Sequence, residues 1–166
     1  QTKCYDDAGM EIPCNSSSYP GQDGAYATGC PSEGRFTDNG DGTVTDHCTS
    51  LMWQKDTGDA NGDGQVTVED RIRWRDALNF CEHLSFAGHD DWRLPNLREL
   101  QSIVHYGRTN LAIDPVFEVL PLYYWSSTTN ASLPLNAWQF FFGGVDFSQF
   151  DGKDARHHFR AVRNAP

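Results

Sequence analysis

Apolar positions recur at helical spacing in two stretches of the chain. Between residues 68 and 84 they recur every three or four positions, at Ile72, Trp74, Ala77, Leu78, Cys81 and Leu84, which predicts an amphipathic helix. A second predicted helix follows Asn96, which precedes Glu99 in the pattern of a capping box, and it ends before Gly107. Its buried stripe is Leu97, Leu100, Ile103 and Val104.

The other apolar runs are typical of strands. Residues 35–38 and 43–46 flank the stretch Asn-Gly-Asp-Gly at 39–42, which predicts a tight hairpin. Further strands are predicted at residues 51–54, 123–128, 137–142, 145–147 and 158–163. Two helices among antiparallel strands indicate an α+β domain.

Residues 1–33 differ from the rest because they are rich in Ser, Gly, Asp and Tyr and show no apolar period. We interpret them as an N-terminal arm, and residues 34–166 as one globular domain. Cys4 and Cys14 bracket a turn-forming stretch between two short strands, so we expect a disulfide bond between them.

The cysteines contain no C-x-x-C pair, so the spacing of zinc ribbons and thioredoxin-like redox sites is missing. We expect Cys48, at the end of a strand, to form a disulfide bond with Cys81 on the apolar face of the first helix. Cys30 is then left over, as a buried inert thiol, a free thiol or a bridge to another chain. The six histidines are scattered along the chain, and we expect them to be exposed.

Residues 59–70 match the pattern of an EF-hand calcium loop. The predicted oxygen ligands are Asp59, Asn61, Asp63, Gln65 through its backbone carbonyl, and Asp70. The last position is Asp rather than Glu and a strand precedes the loop, so it resembles the dockerin-type form. Dockerins carry two copies and this chain has one, so cohesin binding is not implied. We expect a structural calcium ion that joins a strand end to a helix start.

The charge of the chain narrows the choice of partner. With 23 acidic and 13 basic residues the formal net charge is −10, the wrong sign for binding nucleic acid or an anionic polysaccharide. No apolar run approaches the roughly 18 residues that a membrane-spanning helix needs, so we expect no membrane span.

Several short motifs occur together in a family-specific order. They are residues 35–46, 51–54, 92–100 (Trp-Arg-Leu-Pro-Asn-Leu-Arg-Glu-Leu), 124–128, 137–138 and 160–163 (Arg-Ala-Val-Arg). With them the chain resembles the Lcl C-terminal domain family over residues 35–163. The resemblance implies a C-type-lectin-like fold shared with formylglycine-generating enzymes, export from a bacterial cell, and a role in adhesion or ligand binding.

Two functions follow from this resemblance. The first is an exported, calcium-stabilised binding or adhesion module, or a subunit of a surface assembly, in a secreted, cell-surface or periplasmic location. The alternative is an enzyme on the scaffold of formylglycine-generating enzymes. Those enzymes use a cysteine pair near the end of the chain, whereas the last cysteine here is Cys81, so we expect no enzymatic activity. The sugar-binding tripeptides of true C-type lectins are also missing.

The predicted partner loops flank the strand that carries Trp138, at residues 130–136, 143–144 and 147–154. The candidate contact residues are Asn130, Asn136, Phe147, Gln149 and Phe150. Phe147 and Phe150 are apolar residues in polar surroundings, so they either contact a partner or fold into the core of the domain. The partner expected is a protein or glycan surface, or another copy of the chain.

Overall fold

The computed structural model describes residues 4–18, 20, 22, 30, 33–108, 110–144 and 148–166. The chain divides into two units, Gln1–Arg35 and Phe36–Pro166. In the first unit, strands β1 (Cys4–Tyr5) and β2 (Glu11–Ile12) pair antiparallel. The predicted bond between Cys4 and Cys14 is confirmed, with the two Cα atoms 5.1 Å apart.

The second unit begins with an antiparallel sheet of four strands. These are β3 (Phe36–Asp38), β4 (Thr43–Asp46), β5 (Leu51–Gln54) and β11 (Val162–Asn164), in the order β11-β5-β4-β3. The predicted hairpin is confirmed, since β3 pairs with β4 across residues 39–42. Its turn is held by Asp41, whose carboxylate accepts hydrogen bonds from the backbone N–H and the hydroxyl of Thr43.

A second antiparallel sheet contains β7 (Tyr123–Thr129), β8 (Asn136–Phe141) and β9 (Ser148–Gly152) in that order. The interpretation of residues 147–154 as a loop is therefore wrong for the five residues of β9. The sequence pattern does not indicate this strand, because Ser-Gln-Phe-Asp-Gly has no apolar alternation and its exposed residues, Gln149 and Phe150, are consecutive. Its pairing with β8, and not its own pattern, makes it extended.

The two predicted helices are present but shorter than expected. They are α1 (Trp74–Glu82) and α2 (Leu97–Ser102). The stretch before α1 forms a 3₁₀ turn (Val68–Asp70) and then strand β6 (Ile72–Arg73), which pairs with β10 (Arg156–His157). This pairing holds the backbone extended where helical periodicity alone predicted a helix. In the described part of the chain, no helix has both the length and the apolar character that crossing a bilayer requires.

The capping box predicted for α2 is confirmed. The backbone N–H of Glu99 donates to the Asn96 side chain at 2.9 Å, and the backbone N–H of Asn96 donates to the Glu99 carboxylate at 2.8 Å. The guanidinium of Arg93 also donates two hydrogen bonds to this carboxylate, at 2.8 and 2.6 Å.

The helices and the antiparallel sheets that the predicted α+β class requires are both observed.

Two apolar cores form in the second unit, and strands with both faces buried contribute to each. Tyr124 of β7 lies in the first core with Leu100 of α2, whereas its neighbour Trp125 lies in the second core with Ala77 of α1. Successive side chains of a strand point to opposite faces, so β7 is apolar on both. This arrangement explains why residues 123–125 form an uninterrupted aromatic run.

The predicted bond between Cys48 and Cys81 is wrong. Cys81 is a free thiol, fully buried in the second core, whereas Cys30 and Cys48 are each disulfide-bonded. A place on the apolar face of a helix signals burial of a side chain, and for a small apolar residue such as cysteine it signals nothing about bonding. Cys30 is therefore not the cysteine that is left over.

Candidate functional site

The loop at residues 59–70 curls around the carboxylate of Asp59. One oxygen of Asp59 accepts the backbone N–H of Gly62 at 2.7 Å, and the other accepts that of Gly64 at 2.8 Å. Both glycines have positive φ angles, 75° and 79°, which residues with a Cβ adopt only at a cost. The bend that the sequence pattern requires is therefore present.

The next two predicted ligands, Asn61 and Asp63, also accept backbone N–H groups from later positions of the loop. The side-chain oxygen of Asn61 accepts the backbone N–H of Asp63 at 2.9 Å, and the carboxylate of Asp63 accepts the backbone N–H of Gln65 at 2.8 Å. The Asn61 amide also donates to Asp63 Oδ2 at 3.2 Å. Side chains at alternate positions of the loop are thus held by the backbone two residues further on.

Asp70 closes the loop from its other end. It is fully buried, and its oxygens accept the backbone N–H groups of Ala60 at 2.9 Å and of Thr67 at 2.7 Å. Burial opposes ionisation of this carboxyl, but the backbone donors Thr67, Asn61 and Ala60 outweigh burial and hold its pKa below the ordinary value. Thr67 in turn caps the 3₁₀ turn, so Asp70 joins the beginning of the loop to its end.

The donors of the loop are all oxygen atoms, from carboxylates, an amide and a backbone carbonyl, which is the set that calcium prefers. In the described part of the chain, no group of three or more His, Cys, Asp and Glu side chains lies close enough together to hold a metal ion. Two of the five predicted ligands, Asn61 and Gln65, belong to none of these residue types. The loop at residues 59–70 thus has the bend and the oxygen donors of the EF-hand pattern, but in the described residues its carboxylates do not form a close cluster.

Hydrogen bonds connect the end of this loop to the three-stranded sheet. The indole N–H of Trp125 donates to the carbonyl of Ile72 at 2.9 Å, and that of Trp74 donates to the carbonyl of Ser126 at 2.8 Å. The ammonium of Lys153 lies 4.0 Å from the centre of the Trp74 ring. The loop, the start of α1 and the sheet therefore form one hydrogen-bonded region.

The predicted partner residues fall into three classes. Asn130 is buried and shapes the turn before β8, since its side chain accepts the backbone N–H of Ser132 at 3.0 Å. Asn136 is half-buried at the start of β8, and Gln149 and Phe150 are exposed on β9. Phe147 lies outside the described residues.

Two exposed apolar residues of the predicted partner loop 130–136, Leu133 and Leu135, were not among the candidate contact residues. Leu133 and Leu135, in the loop before β8, are 49% and 84% exposed, and Phe150 is 44% exposed. Phe150 packs edge-on against half-buried Trp138, with ring centres 5.4 Å apart. We call Leu133, Leu135, Trp138 and Phe150 the sheet-end surface. The signal in the sequence was the run Leu-Pro-Leu at 133–135, apolar in a polar loop.

One histidine and one arginine carry polar groups into the interior. His158 is fully buried, and among the residues that the structure describes neither ring nitrogen has a hydrogen-bond partner. Arg160 is also fully buried, and its guanidinium donates to the backbone carbonyls of Gln54, Lys55 and Glu118. Burial lowers the pKa of Arg160 to about 10. The expectation that the histidines are exposed is wrong for His158, which is buried, and for three that are half-buried, His89, His105 and His157.

A histidine beside a carboxylate could serve as a catalytic pair. His157 Nε2 lies 3.0 Å from Asp151 Oδ2, and burial lowers the pKa of this imidazole although Asp151 acts in the opposite direction. The ring also contacts Trp125, with ring centres 4.6 Å apart. The free thiol is no nucleophile for this pair, because burial in the second core strongly raises the pKa of Cys81.

Comparison with known proteins identifies the family of the chain. None of the curated proteins compared with it matches. The model of the Lcl C-terminal domain family matches residues 42–163, a range that includes the calcium-type loop, both helices and all three strands of the second sheet. Because the match covers well over half of the sequence, the chain belongs to the Lcl C-terminal domain family.

Proposed function

We propose that this chain is an exported binding or adhesion module whose recognition surface is the sheet-end surface. One observation carries this proposal: exposed large apolar side chains concentrate there. In the described part of the second unit, Leu133, Leu135 and Phe150 belong to this surface, while Val68 and Tyr106 lie elsewhere. Moving such side chains out of water stabilises a complex by about 1.5–3 kcal/mol each when burial is complete.

The sheet-end surface has rigid support. The backbone N–H of Lys153 donates to the carbonyl of Leu135 at 3.0 Å, and the Lys153 ammonium donates to the hydroxyl of Thr129 at 2.9 Å. Lys153, which directly follows β9, is thus bonded both to the loop before β8 and to the end of β7. Recognition residues commonly lie on loops that a rigid scaffold positions. The fold we propose for this scaffold is C-type-lectin-like, as the family resemblance suggests.

The partner that suits this surface is a protein or a glycan without a high negative charge. The chain carries a formal net charge of −10, which would repel nucleic acid and sulfated polysaccharides. Exposed aromatic rings such as Phe150 can pack on apolar protein surfaces or on the apolar faces of sugars. The disulfide bonds support a secreted, cell-surface or periplasmic location, because such bonds persist in oxidising compartments.

Arrays of immobilised neutral glycans and of purified extracellular proteins test the binding proposal. We expect the wild type to be retained by one of these classes, and the double variant Leu135→Ser/Phe150→Ser to bind at least about tenfold more weakly. Tyr106→Ser is the matched control, since Tyr106 is 72% exposed and lies outside the surface. Equal retention of the double variant, or no retention of the wild type on either array, would contradict the proposal.

We also propose that the loop at residues 59–70 binds calcium and that the ion stabilises the fold. Support comes from the oxygen donors and from the bend at Gly64. Asp59, Asn61, Asp63, Asp70 and the backbone carbonyl of Gln65 would hold the ion. Calcium there would neutralise carboxylates that otherwise repel one another, and would strengthen the connection from the loop through Trp74 to the sheet.

Thermal melting with and without a chelator tests the calcium proposal. A ligand that binds only the folded state raises the melting temperature by mass action, so chelation should lower it and added calcium should restore it. Asp59→Ala/Asp63→Ala should melt at the lower temperature and no longer respond to calcium. Asp90→Ala, which removes an exposed acid outside the loop, should respond like the wild type. An unchanged melt, with no metal in the native protein by elemental analysis, would exclude a structural ion.

We infer that the domain works by binding and not by catalysis. The thiol of Cys81 is buried, and His157, the partner of Asp151, packs against aromatic rings. A catalytic histidine would need a nucleophile or a bound water in reach of its free nitrogen. His157→Gln should therefore leave binding to the arrays unchanged within about twofold.

A further inference from the structure

β9 is an outer strand with a free edge. It pairs with β8 on one side, and no strand in the described ranges pairs with it on the other. The backbone N–H of Lys153 donates to Leu135 on the β8 side. Because inward and outward groups alternate along an antiparallel strand, residues 149 and 151 also face β8, and the N–H and C=O groups of Ser148 and Phe150 face away. An unpaired edge of this kind is a template for another strand.

The surroundings of this edge are electrically balanced although the whole chain is strongly acidic. Residues 148–156 contain two acids, Asp151 and Asp154, and two bases, Lys153 and Arg156. The formal net charge of the chain is −10, so two copies repel each other overall. Residues 148–156 carry no formal net charge, so a second copy that approaches along β9 does not meet a concentration of like charge on this segment.

We propose that two copies of the chain pair through β9, antiparallel, about a two-fold axis at Phe150. In this register Phe150 lies opposite Phe150 of the partner subunit, and Gln149 lies opposite Asp151 of the partner subunit. Two-fold symmetry forms the second pair twice. The Asp151 carboxylate already accepts from His157 and from the backbone N–H of Gly152, and it has about four acceptor positions, so the Gln149 amide can also donate to it. The two three-stranded sheets become one sheet of six strands.

The self-complementary sequence of β9 favours a second copy of the chain, over an unrelated peptide, as the partner of its free edge. An exposed donor side chain at 149 and an acceptor at 151 are equidistant from Phe150, so one register satisfies both copies. The strand contains no Pro, a residue that commonly blocks edge pairing. The pairing goes beyond the proposed binding function, because it uses the backbone edge of β9, and a monomer could still bind a ligand.

Sedimentation equilibrium of the full chain, with its disulfides intact, tests the pairing. Between about 1 μM and about 1 mM we expect a reversible monomer–dimer equilibrium that tightens with salt, because salt screens the net charge. Gln149→Glu places like charges opposite each other twice and should weaken the dimer about tenfold, whereas Gln149→Lys should tighten it about tenfold. Phe150→Pro should abolish it by removing an outward N–H.

Matched variants separate the register from a general charge effect. Asn79→Glu and Asn79→Lys make the same charge changes at an exposed position of α1 and should shift the equilibrium about twofold or less. A wild type that stays monomeric at the highest concentration would overturn the proposal. So would equal effects of the Gln149 and Asn79 variants. Array binding by the Gln149 and Asn79 variants, which leave the sheet-end surface unchanged, shows independently whether the proposed binding function holds.

Discussion

Arg160 shows how one residue can hold several loops. In the described part of the chain no carboxylate lies within ion-pair distance of its buried guanidinium, which instead donates to three backbone carbonyls. The ring of Phe117 lies 5.0 Å from the guanidinium carbon. A cation can be kept in the interior when enough acceptors replace water. Arg160 thus joins the end of β5 to the segment that leads into β7.

Arg160→Met should therefore destabilise the domain severely. The substitution keeps an apolar stem of similar length but leaves the carbonyls of Gln54, Lys55 and Glu118 without that donor. The carbonyl of Lys55 keeps the backbone N–H of Glu118 as a donor, whereas a buried acceptor left without a partner costs about 1–3 kcal/mol. We therefore expect a loss of about 2 kcal/mol or more, measured by denaturant unfolding. Arg156→Met, at an exposed position, should change the free energy of unfolding by less than about 0.5 kcal/mol. Similar losses for both variants would disprove this role.

His158 makes the stability of the protein dependent on pH. Burial, and then the charge of Arg71, lower its pKa from 6.5 to about 4, although Asp70 acts in the opposite direction. Between these values the unfolded chain binds a proton that the folded chain does not. Stability is complete above pH 6.5 and falls as the pH drops toward 4.

The expected loss over that range is about 3 kcal/mol, measured as the free energy of unfolding by urea at a series of pH values. His158→Gln removes the titrating group, so its stability should depend less on pH in this window. His83→Gln, at an exposed position on the carboxyl-terminal side of α1, should keep the wild-type profile. A wild-type profile that is flat from pH 6.5 to 4 would rule out the buried neutral imidazole.

At the level of elements, α2 depends on its first turn. The helix has six residues, too few to be stable alone, so its capping box and its packing in the first core must hold it. Burial of Glu99 opposes its ionisation, but Arg93 and the backbone of Asn96 hold its pKa below the ordinary value. One carboxylate thereby joins the helix to the segment before it.

Asn96→Ala should cost about 1 kcal/mol of unfolding free energy, because the backbone N–H of Glu99 loses its acceptor. Asn96→Ser is the matched variant, since serine also caps helices, and it should lose only a few tenths of that amount. The denaturant midpoints of the two variants give the comparison. Equal losses would mean that packing, and not the cap, positions α2.

For the molecule as a whole, the reactivity of the cysteines shows whether the second core is folded. Cys81 is the free thiol, and the other four cysteines are oxidised. A thiol inside an apolar core cannot ionise or reach a reagent. Its reaction therefore requires opening of the second core.

A thiol reagent without reductant should label no cysteine in the native protein and one cysteine after denaturation. Mass spectrometry of the labelled peptides should identify Cys81. Cys81→Ala should abolish the labelling and remain folded, because the residue is small and apolar in its core. Rapid labelling of the native protein, or labelling of Cys48, would contradict this assignment of the cysteines.

The sequence alone predicted the features that depend on neighbours along the chain. The hairpin at residues 36–46, the cap of α2 and the disulfide between Cys4 and Cys14 depend on contacts within about ten residues, which turn residues and spacing record directly. The ordered motifs likewise identified the family. The bend of the calcium-type loop belongs with these features, because its hydrogen bonds join residues two to five apart.

The tertiary structure decided which distant residues meet. Pairing with β10 and β8 made residues 72–73 and 148–152 extended, against their local pattern, and the second core enclosed Cys81 away from the other cysteines. Burial of Arg160 and His158 depends on strands more than thirty residues away. Hydrogen bonds and apolar packing between distant segments are not encoded in the periodicity of either segment alone, so only the folded chain could show the free edge of β9 and the apolar residues beside it.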